Sequence, residues 1–391
     1  MTGHLLLSYD FPPMGGGIAR MMGELVSRYP GNSLTVSTGA HPGAREADSQ
    51  IGASIDRIAV PSRRLRTVQG LAAWTFRAHV LTRSVNPRFV WCGNLKPAAY
   101  PARWIHARTG VPYGIMLYGT ELLLLRVRMR DSWMKRRVAR ALFGPAAVLL
   151  TISRFTRDLA SETLAELGFS DGQIDIRTVP LGTDPDRFRP GIDTMAIRHR
   201  YGLNGGRWLL TVARIAAHKG IDTALLVLDV LRHEFPDLKY AVVGSGVKLG
   251  EYEALARRLG VGNRVRFLTS VPDADLPGLY NCAELYLGVS RPVELMIEGF
   301  GISLSEAAAC GIPVIGGRNG GIPDAVREGE TGLLVDATST AEVTEAVRLL
   351  LKDRELAQRL GQAGRAAVES FFNWDRVTQD VFRIAEEYAR P

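Results

Sequence analysis

The sequence predicts an α/β protein of two doubly wound, Rossmann-like domains, and three observations carry that expectation. Short apolar runs alternate with amphipathic helical stretches along the whole chain. Many runs are rich in Val, Ile and Leu without polar alternation, as strands buried on both faces of a parallel sheet are. A stretch dense in proline and glycine, Gly182 to Gly191, divides the runs into two series. The 391 residues suffice for two to three domains of roughly 150 residues each.

The first series of expected strands is His4–Ser8, Ser33–Ser37, Arg57–Val60, Arg88–Cys92, Tyr113–Leu117, Ala147–Ile152 and Ile174–Val179. The second is Trp208–Val212, Lys239–Val243, Arg264–Leu268, Glu284–Val289, Pro313–Ile315 and Gly332–Val335. Helical spacing falls between or after them, as in Thr223–Glu234, Lys248–Leu259 and Thr340–Lys352. The expected domains are residues 1–190 and 191–374. Such a pair leaves a cleft facing the C-terminal ends of both sheets, where ligands bind.

Composition narrows the function. Cys92, Cys282 and Cys310 are odd in number and far apart, which argues against a disulfide framework and a cysteine zinc site. Apolar runs fall short of the ~18 residues that span a bilayer. Met1 to Leu7 lacks the basic start of a secretory signal. The expected location is the cytoplasm, with attachment to the cytoplasmic face of a membrane left open. Of the net charge of +8, residues 1–190 carry +11 and the remainder −3. That surplus points to an anionic partner for the first domain or to a solvated arginine-rich surface.

The richest stretch is Glu298 to Asp324, EGFGISLSEAAACGIPVIGGRNGGIPD. Gly299 and Gly301 flank Phe300 and keep it out of a helix. Ile302 to Cys310 then reads as a helix stopped by Gly311-Ile312-Pro313. A glycine loop opening a helix exposes backbone N–H groups at the positive end of the helix dipole, which suits a phosphate. Glu306 lies one turn into that helix, where a carboxylate can accept from ribose hydroxyls. Glu298, in the loop, can hold a sugar hydroxyl. Arg214 and Lys219 follow the first strand of the second domain and can both reach a diphosphate. In the first domain Gly15-Gly16-Gly17 follows the first strand, and Gly23 comes too late to complete a dinucleotide fingerprint.

Together these pieces resemble the family-4 retaining glycosyltransferases of the GT-B fold, over essentially the whole chain. The carriers are the Gly15–Gly17 loop, the Arg214/Lys219 pair, Val243-Gly244-Ser245-Gly246, the E-x7-E pair Glu298/Glu306 and Gly320-Gly321-Ile322-Pro323-Asp324. The resemblance implies two Rossmann-like domains facing each other across a cleft, an acceptor domain first and a donor domain second, with a final helix, 375–391, returning to the first. It implies transfer of a sugar from a nucleotide-diphosphate sugar to an acceptor hydroxyl with retention of configuration. No metal and no cofactor beyond the nucleotide-sugar co-substrate are expected. Arg214 and Lys219 would stabilise the departing diphosphate. Phe300, Gly301 and Ile302 would present backbone amides to the donor. Glu306 would bind the ribose, Glu298 the transferred sugar, and Gly16, Gly17 and Gly244 the donor phosphates and nucleotide. Tyr118 stands where the family commonly has a histidine. A phenol can hydrogen-bond a sugar hydroxyl but carries no proton charge near neutral pH.

Two D-x-D triplets, Asp184–Asp186 and Asp273–Asp275, read as turn and cap residues. Residues 122–142 read as a basic amphipathic helix, with Met134, Val138 and Ala141 on one face, suited to an anionic membrane and hence to a lipid-linked or membrane-proximal acceptor. A soluble small-molecule acceptor, a glycan, or a nucleotide-sugar-binding protein with little turnover are the alternatives. No recognisable nucleic-acid-binding motif accompanies the basic residues, so no nucleic-acid partner is expected.

Overall fold

A computed structural model describes residues 3–389. The chain forms two compact units, one running to Val179 and resuming at Trp374, the other Pro180–Asn373. The sequence boundary after residue 190 therefore moves to 180, because the linker is bonded into the second unit. The Thr183 N–H donates to the Phe372 carbonyl at 2.9 Å, and Arg365 donates to the carbonyls of Pro185 and Phe188 at 2.8 Å each.

The first unit is a seven-stranded parallel sheet in the order β3-β2-β1-β4-β5-β6-β7. Its strands are β1 (His4–Leu7), β2 (Leu34–Ala40), β3 (Ser54–Pro61), β4 (Phe89–Cys92), β5 (Tyr113–Leu117), β6 (Val148–Thr151) and β7 (Asp175–Thr178). Its helices are α1 (Gly17–Ser27), α2 (Ala44–Ile51), α3 (Val68–Val85), α4 (Ala99–Thr109), α5 (Thr120–Arg130), α6 (Trp133–Phe143) and α7 (Arg154–Glu166). Leu5, Leu7, Trp74, Ile115 and Leu149 are among its buried core. The strands match the expected runs because both faces of a parallel sheet lie under helices.

The second unit is a six-stranded parallel sheet in the order β10-β9-β8-β11-β12-β13. Its strands are β8 (Arg207–Val212), β9 (Leu238–Val243), β10 (Val265–Leu268), β11 (Leu285–Gly288), β12 (Val314–Gly317) and β13 (Leu333–Val335). Its helices are α8 (Met195–Tyr201), α9 (Ile221–Leu231), α10 (Leu249–Arg258), α11 (Leu276–Asn281), α12 (Ile302–Ala309), α13 (Ile322–Ala325), α14 (Thr340–Lys352) and α15 (Arg354–Ser370). Both sheets are the doubly wound type, with switch points between β1 and β4 and between β8 and β11.

The last helix, α16 (Trp374–Tyr388), belongs to the first unit. Its Glu386 meets the buried His4 ring at 2.9 Å and Arg88 at 3.0 Å, and its Phe382 packs on His4 and Tyr29. Residues 390 and 391 of the expected helix lie outside the described residues.

The basic stretch 122–142 differs from its expectation. It is two helices, α5 and α6, because Ser132 adopts an extended backbone and caps α6, its hydroxyl accepting from the Lys135 N–H at 3.3 Å. The buried face of α6 is Ala139, Leu142 and Phe143. Met134 and Ala141 are exposed and Val138 is half-buried.

Candidate active site

In the second unit, the loops after β8 and β11 flank the switch point, and two charged side chains meet there. Lys219 follows a short turn and precedes Gly220, whose left-handed backbone (φ 68°) starts α9. A side chain at 220 is excluded, since a Cβ would lie 2.0 Å from the Val289 carbonyl oxygen. The Lys219 ammonium donates to the Glu298 carboxylate. Burial works to raise the Glu298 carboxyl, but Lys219, with His218 and Arg214 behind it, holds it below the usual carboxylate range. Burial, then the Lys219 and Arg214 charges, push the buried His218 imidazole down to about 4.

Glu298 is buttressed from behind by the second glycine cluster. The Gly321 N–H donates to the Glu298 carbonyl at 2.9 Å. A Cβ on Gly320 would stand 2.4 Å from that same oxygen, and one on Gly317 would stand 2.2 Å from the Ser290 carbonyl. These glycines let loop backbones touch.

Lys219, Glu298, Gly301, Ser303, Thr211 and Ser290 line one pocket at the N-terminus of α12. Gly301 caps that helix with φ 99°. Phe300 is buried against Phe372, so only its backbone is offered to a ligand. Ile302 is the first residue of α12 and half-buried. Glu306, one turn in, is 3 % exposed and accepts from the Tyr280 hydroxyl at 2.6 Å. Arg214 is exposed nearby, close enough for its charge to act on both Glu298 and His218. Gly244 has a local packing reason: a Cβ there would meet the Ala213 carbonyl at 2.1 Å.

In the first unit, Gly16 (φ 118°) and Gly17 open α1. A Cβ on Gly15, Gly16 or Gly17 meets nothing within 4 Å. At the β1/β4 switch point the Asn94 amide donates to Asp10 at 2.8 Å. The Tyr118 hydroxyl donates to the Gly93 carbonyl at 2.6 Å. Burial, with the Glu121 and Asp10 charges, drives that phenol far above its usual range. Its proton is thus committed to Gly93, and towards a ligand it can only accept.

Residues 194–367 match the family described as Glycosyl transferases group 1. A Mycolicibacterium smegmatis protein, the GDP-mannose-dependent alpha-(1-6)-phosphatidylinositol monomannoside mannosyltransferase, is 32% identical over 95% of this chain and 94% of its own. The chain belongs to the group 1 glycosyl transferases. The protein of the same description from Mycobacterium tuberculosis H37Rv is 30% identical over 96% of each chain. A crystal structure of Anabaena Alr3699/HepE in complex with UDP shares the fold, with a TM-score of 0.79 at 18% identity over 98% of this chain and 100% of that one.

Sequence reasoning about this glycosyltransferase missed Tyr280 as the partner of Glu306, and Asp10 and Asn94 altogether. The latter two follow the strands on either side of the first switch point, a signal readable once strand order is known. Of the D-x-D triplets, Asp184 accepts from the N–H groups of Asp186 and Arg187 at 2.9 and 3.0 Å, a turn. Asp275 is held by Arg200 at 2.6 Å and by Tyr201, so it braces α8 and its hydroxyl neighbour; no side-chain cap of α11 forms.

Proposed function

We propose that this glycosyltransferase moves mannose from GDP-mannose, with retention of configuration and without a metal, to a hydroxyl of a phosphatidylinositol-type glycolipid. The observation that carries the reaction is Lys219 and Glu298 on one pocket with the N-terminus of α12. Donor and acceptor are taken from the two mycobacterial relatives, which match across nearly the full chain.

In the proposed step, the bond from the anomeric carbon to the diphosphate oxygen breaks while the acceptor hydroxyl oxygen bonds the same face. The hydroxyl proton passes to the departing diphosphate. Lys219, Arg214 and the α12 backbone N–H groups of Gly301 and Ile302 stabilise the charge that develops there; a fixed donor of this kind is worth on the order of 10²–10³ in rate. Glu298 orients the transferred sugar, Glu306 the ribose, and Gly244 gives the donor room.

A lipid acceptor also fits the α5–α6 surface. Trp133 is 72% and Met134 60% exposed beside Arg130, Lys135 and Arg137, a combination suited to an anionic bilayer at the cytoplasmic face. No helix among the described residues is long and apolar enough to cross a membrane.

The test is transfer from GDP-, UDP- and ADP-sugars to phosphatidylinositol mannoside in vesicles, with and without chelator. Chelator-resistant transfer from GDP-mannose to an α-linked product is expected. Transfer from UDP- or ADP-sugars alone rejects the donor assignment, and an inverted product rejects retention.

A further inference from the structure

Lys219 and Glu298 are carried by different loops, so the geometry of their pair depends on what holds those loops together. The Lys219 loop runs from β8 to α9, and the Glu298 loop from β11 to α12. Arg291, near the start of the second loop, is bonded to the first on both sides of Lys219. Its backbone N–H donates to the His218 carbonyl at 2.8 Å. Its guanidinium forks onto the two oxygens of Asp222, at 3.0 and 2.5 Å, and donates to the Thr223 hydroxyl at 3.0 Å. We propose that Arg291 is a positioning residue of this site: it fixes the Lys219 loop against the Glu298 loop and so sets where the Lys219 ammonium stands for a diphosphate.

Three observations support it. First, the bonds bracket Lys219 in the chain, on His218 before it and on Asp222 and Thr223 beyond it. Between these pins Gly220 lies so close to the Val289 carbonyl that a Cβ has no room. A segment held on both sides has already lost most of its backbone freedom before a ligand arrives. Second, the brace is itself anchored. The Arg291 and Asp222 side chains are only 18% and 31% exposed, and a bidentate, charge-assisted fork fixes direction as well as distance. The buried Thr223 hydroxyl donates onward to the Ala337 carbonyl at 3.2 Å. The Ser290 carbonyl, next to Arg291, accepts from the Asn319 amide at 2.6 Å. One short segment thus ties in the loops that follow β8, β12 and β13. Third, the connection from Arg291 to Glu298 is not slack. It contains a tight turn in which the Val293 N–H donates to the Met296 carbonyl at 3.0 Å and the Met296 N–H donates back at 2.9 Å. Glu294 takes a left-handed backbone there, with φ 55°. Arg291 is not among the described residues that line the pocket, so it acts there through Lys219 and Glu298.

The diphosphate rests on the transferase reading; the bracing of the Lys219 loop does not. The experiment therefore has two readouts. One is calorimetry with GDP on wild type, Arg291→Gln, Arg291→Lys, Lys219→Ala and the double variant Lys219→Ala/Arg291→Gln. The other is NMR titration of the His218 ring, assigned by the signal that His218→Gln lacks. The control is Arg348→Gln, whose arginine pairs with Glu234 beyond the other end of α9 at 2.8 Å. Arg291→Lys keeps the charge and loses the fork, and it carries both readouts if Arg291→Gln does not fold.

We expect both Arg291 variants to bind GDP about tenfold or more weakly, and the control to bind it as wild type does. In the Lys219→Ala background Arg291→Gln should change GDP affinity little further, because its effect passes through Lys219. As the loop loosens and water reaches the ring, the His218 pKa should rise from about 4 toward the ordinary 6.5 in both Arg291 variants. An equal loss of GDP affinity with and without Lys219, or a His218 titration that neither variant moves, overturns the positioning role. If wild type binds no GDP, the donor reading fails, and the His218 titration alone decides whether Arg291 holds the loop.

Discussion

Lys219 donates to Glu298 across 79 residues of chain, so the cation expected to meet the diphosphate is already neutralised by the carboxylate expected to meet the sugar. Any diphosphate drawn to Lys219 competes with Glu298 for it. The pair is largely shielded, with side chains 16% and 22% exposed, so the competition takes place with little screening.

Separating the two charges should separate binding from transfer. Glu298→Gln frees Lys219 and is expected to bind GDP at least as tightly as wild type, while its transfer rate falls. Lys219→Ala is expected to weaken GDP binding and lower transfer by about 10²–10³. Calorimetry with GDP and initial rates with the sugar nucleotide give both readouts. Weaker GDP binding by Glu298→Gln would remove the competition.

His218 makes stability depend on pH. Its folded value of about 4 lies below the ordinary 6.5. Its contribution is therefore fully present above about 6.5 and is lost as pH falls toward about 4, where the folded state begins to take up the proton. The shift corresponds to about 3 kcal/mol at most, reduced by solvent screening of the ring. Urea unfolding of wild type and His218→Gln between pH 7 and pH 4 should show a smaller decline in the variant. Glu298, also depressed, acts lower: its contribution is present above the ordinary 4.5 and is lost as pH falls through its folded value.

Glu306 and Tyr280 test whether a buried carboxylate serves the ligand or the core. Tyr280→Phe removes one hydrogen bond to Glu306 and is expected to cost about 1 kcal/mol in stability while GDP binding persists. Glu306→Ala removes the carboxylate that accepts from the Tyr280 hydroxyl, at an expected cost of about 1–3 kcal/mol, and is also expected to weaken GDP binding. Loss of stability without loss of GDP affinity in Glu306→Ala would make it a core residue.

The glycines divide by what stands above them. Gly220→Ala drives a methyl group into the Val289 carbonyl on a left-handed backbone, and a loss of more than about 2 kcal/mol is expected. Gly17→Ala meets open space and should leave stability unchanged or raise it by up to about 1 kcal/mol. If Gly17 serves the donor, the same variant raises KM for the sugar nucleotide. Thermal melts and KM values measured together decide it.

The strands and several helices, α9, α10, α12 and α14 among them, were legible without coordinates. A strand covered on both faces must be apolar throughout, so β5 appears in the sequence as the run Tyr113–Leu117, and glycine and proline mark where α12 begins and ends. That Glu298, Lys219 and Arg214 place charges around this loop cluster could be read from residue type and order.

Pairing was decided by the tertiary structure. Periodicity reports the geometry of one element, whereas a side chain's partner depends on distances set by packing between elements. Nothing local distinguishes Arg126, held by α7, from Arg128, which has no such partner among the described residues; only the placement of α7 beside α5 does so. The same holds for Gly320, whose missing side chain makes room for the Glu298 carbonyl. The sequence determined which elements and which chemistry this glycosyltransferase has; the packing of those elements decided which charges are neutralised within the protein and which remain for a ligand.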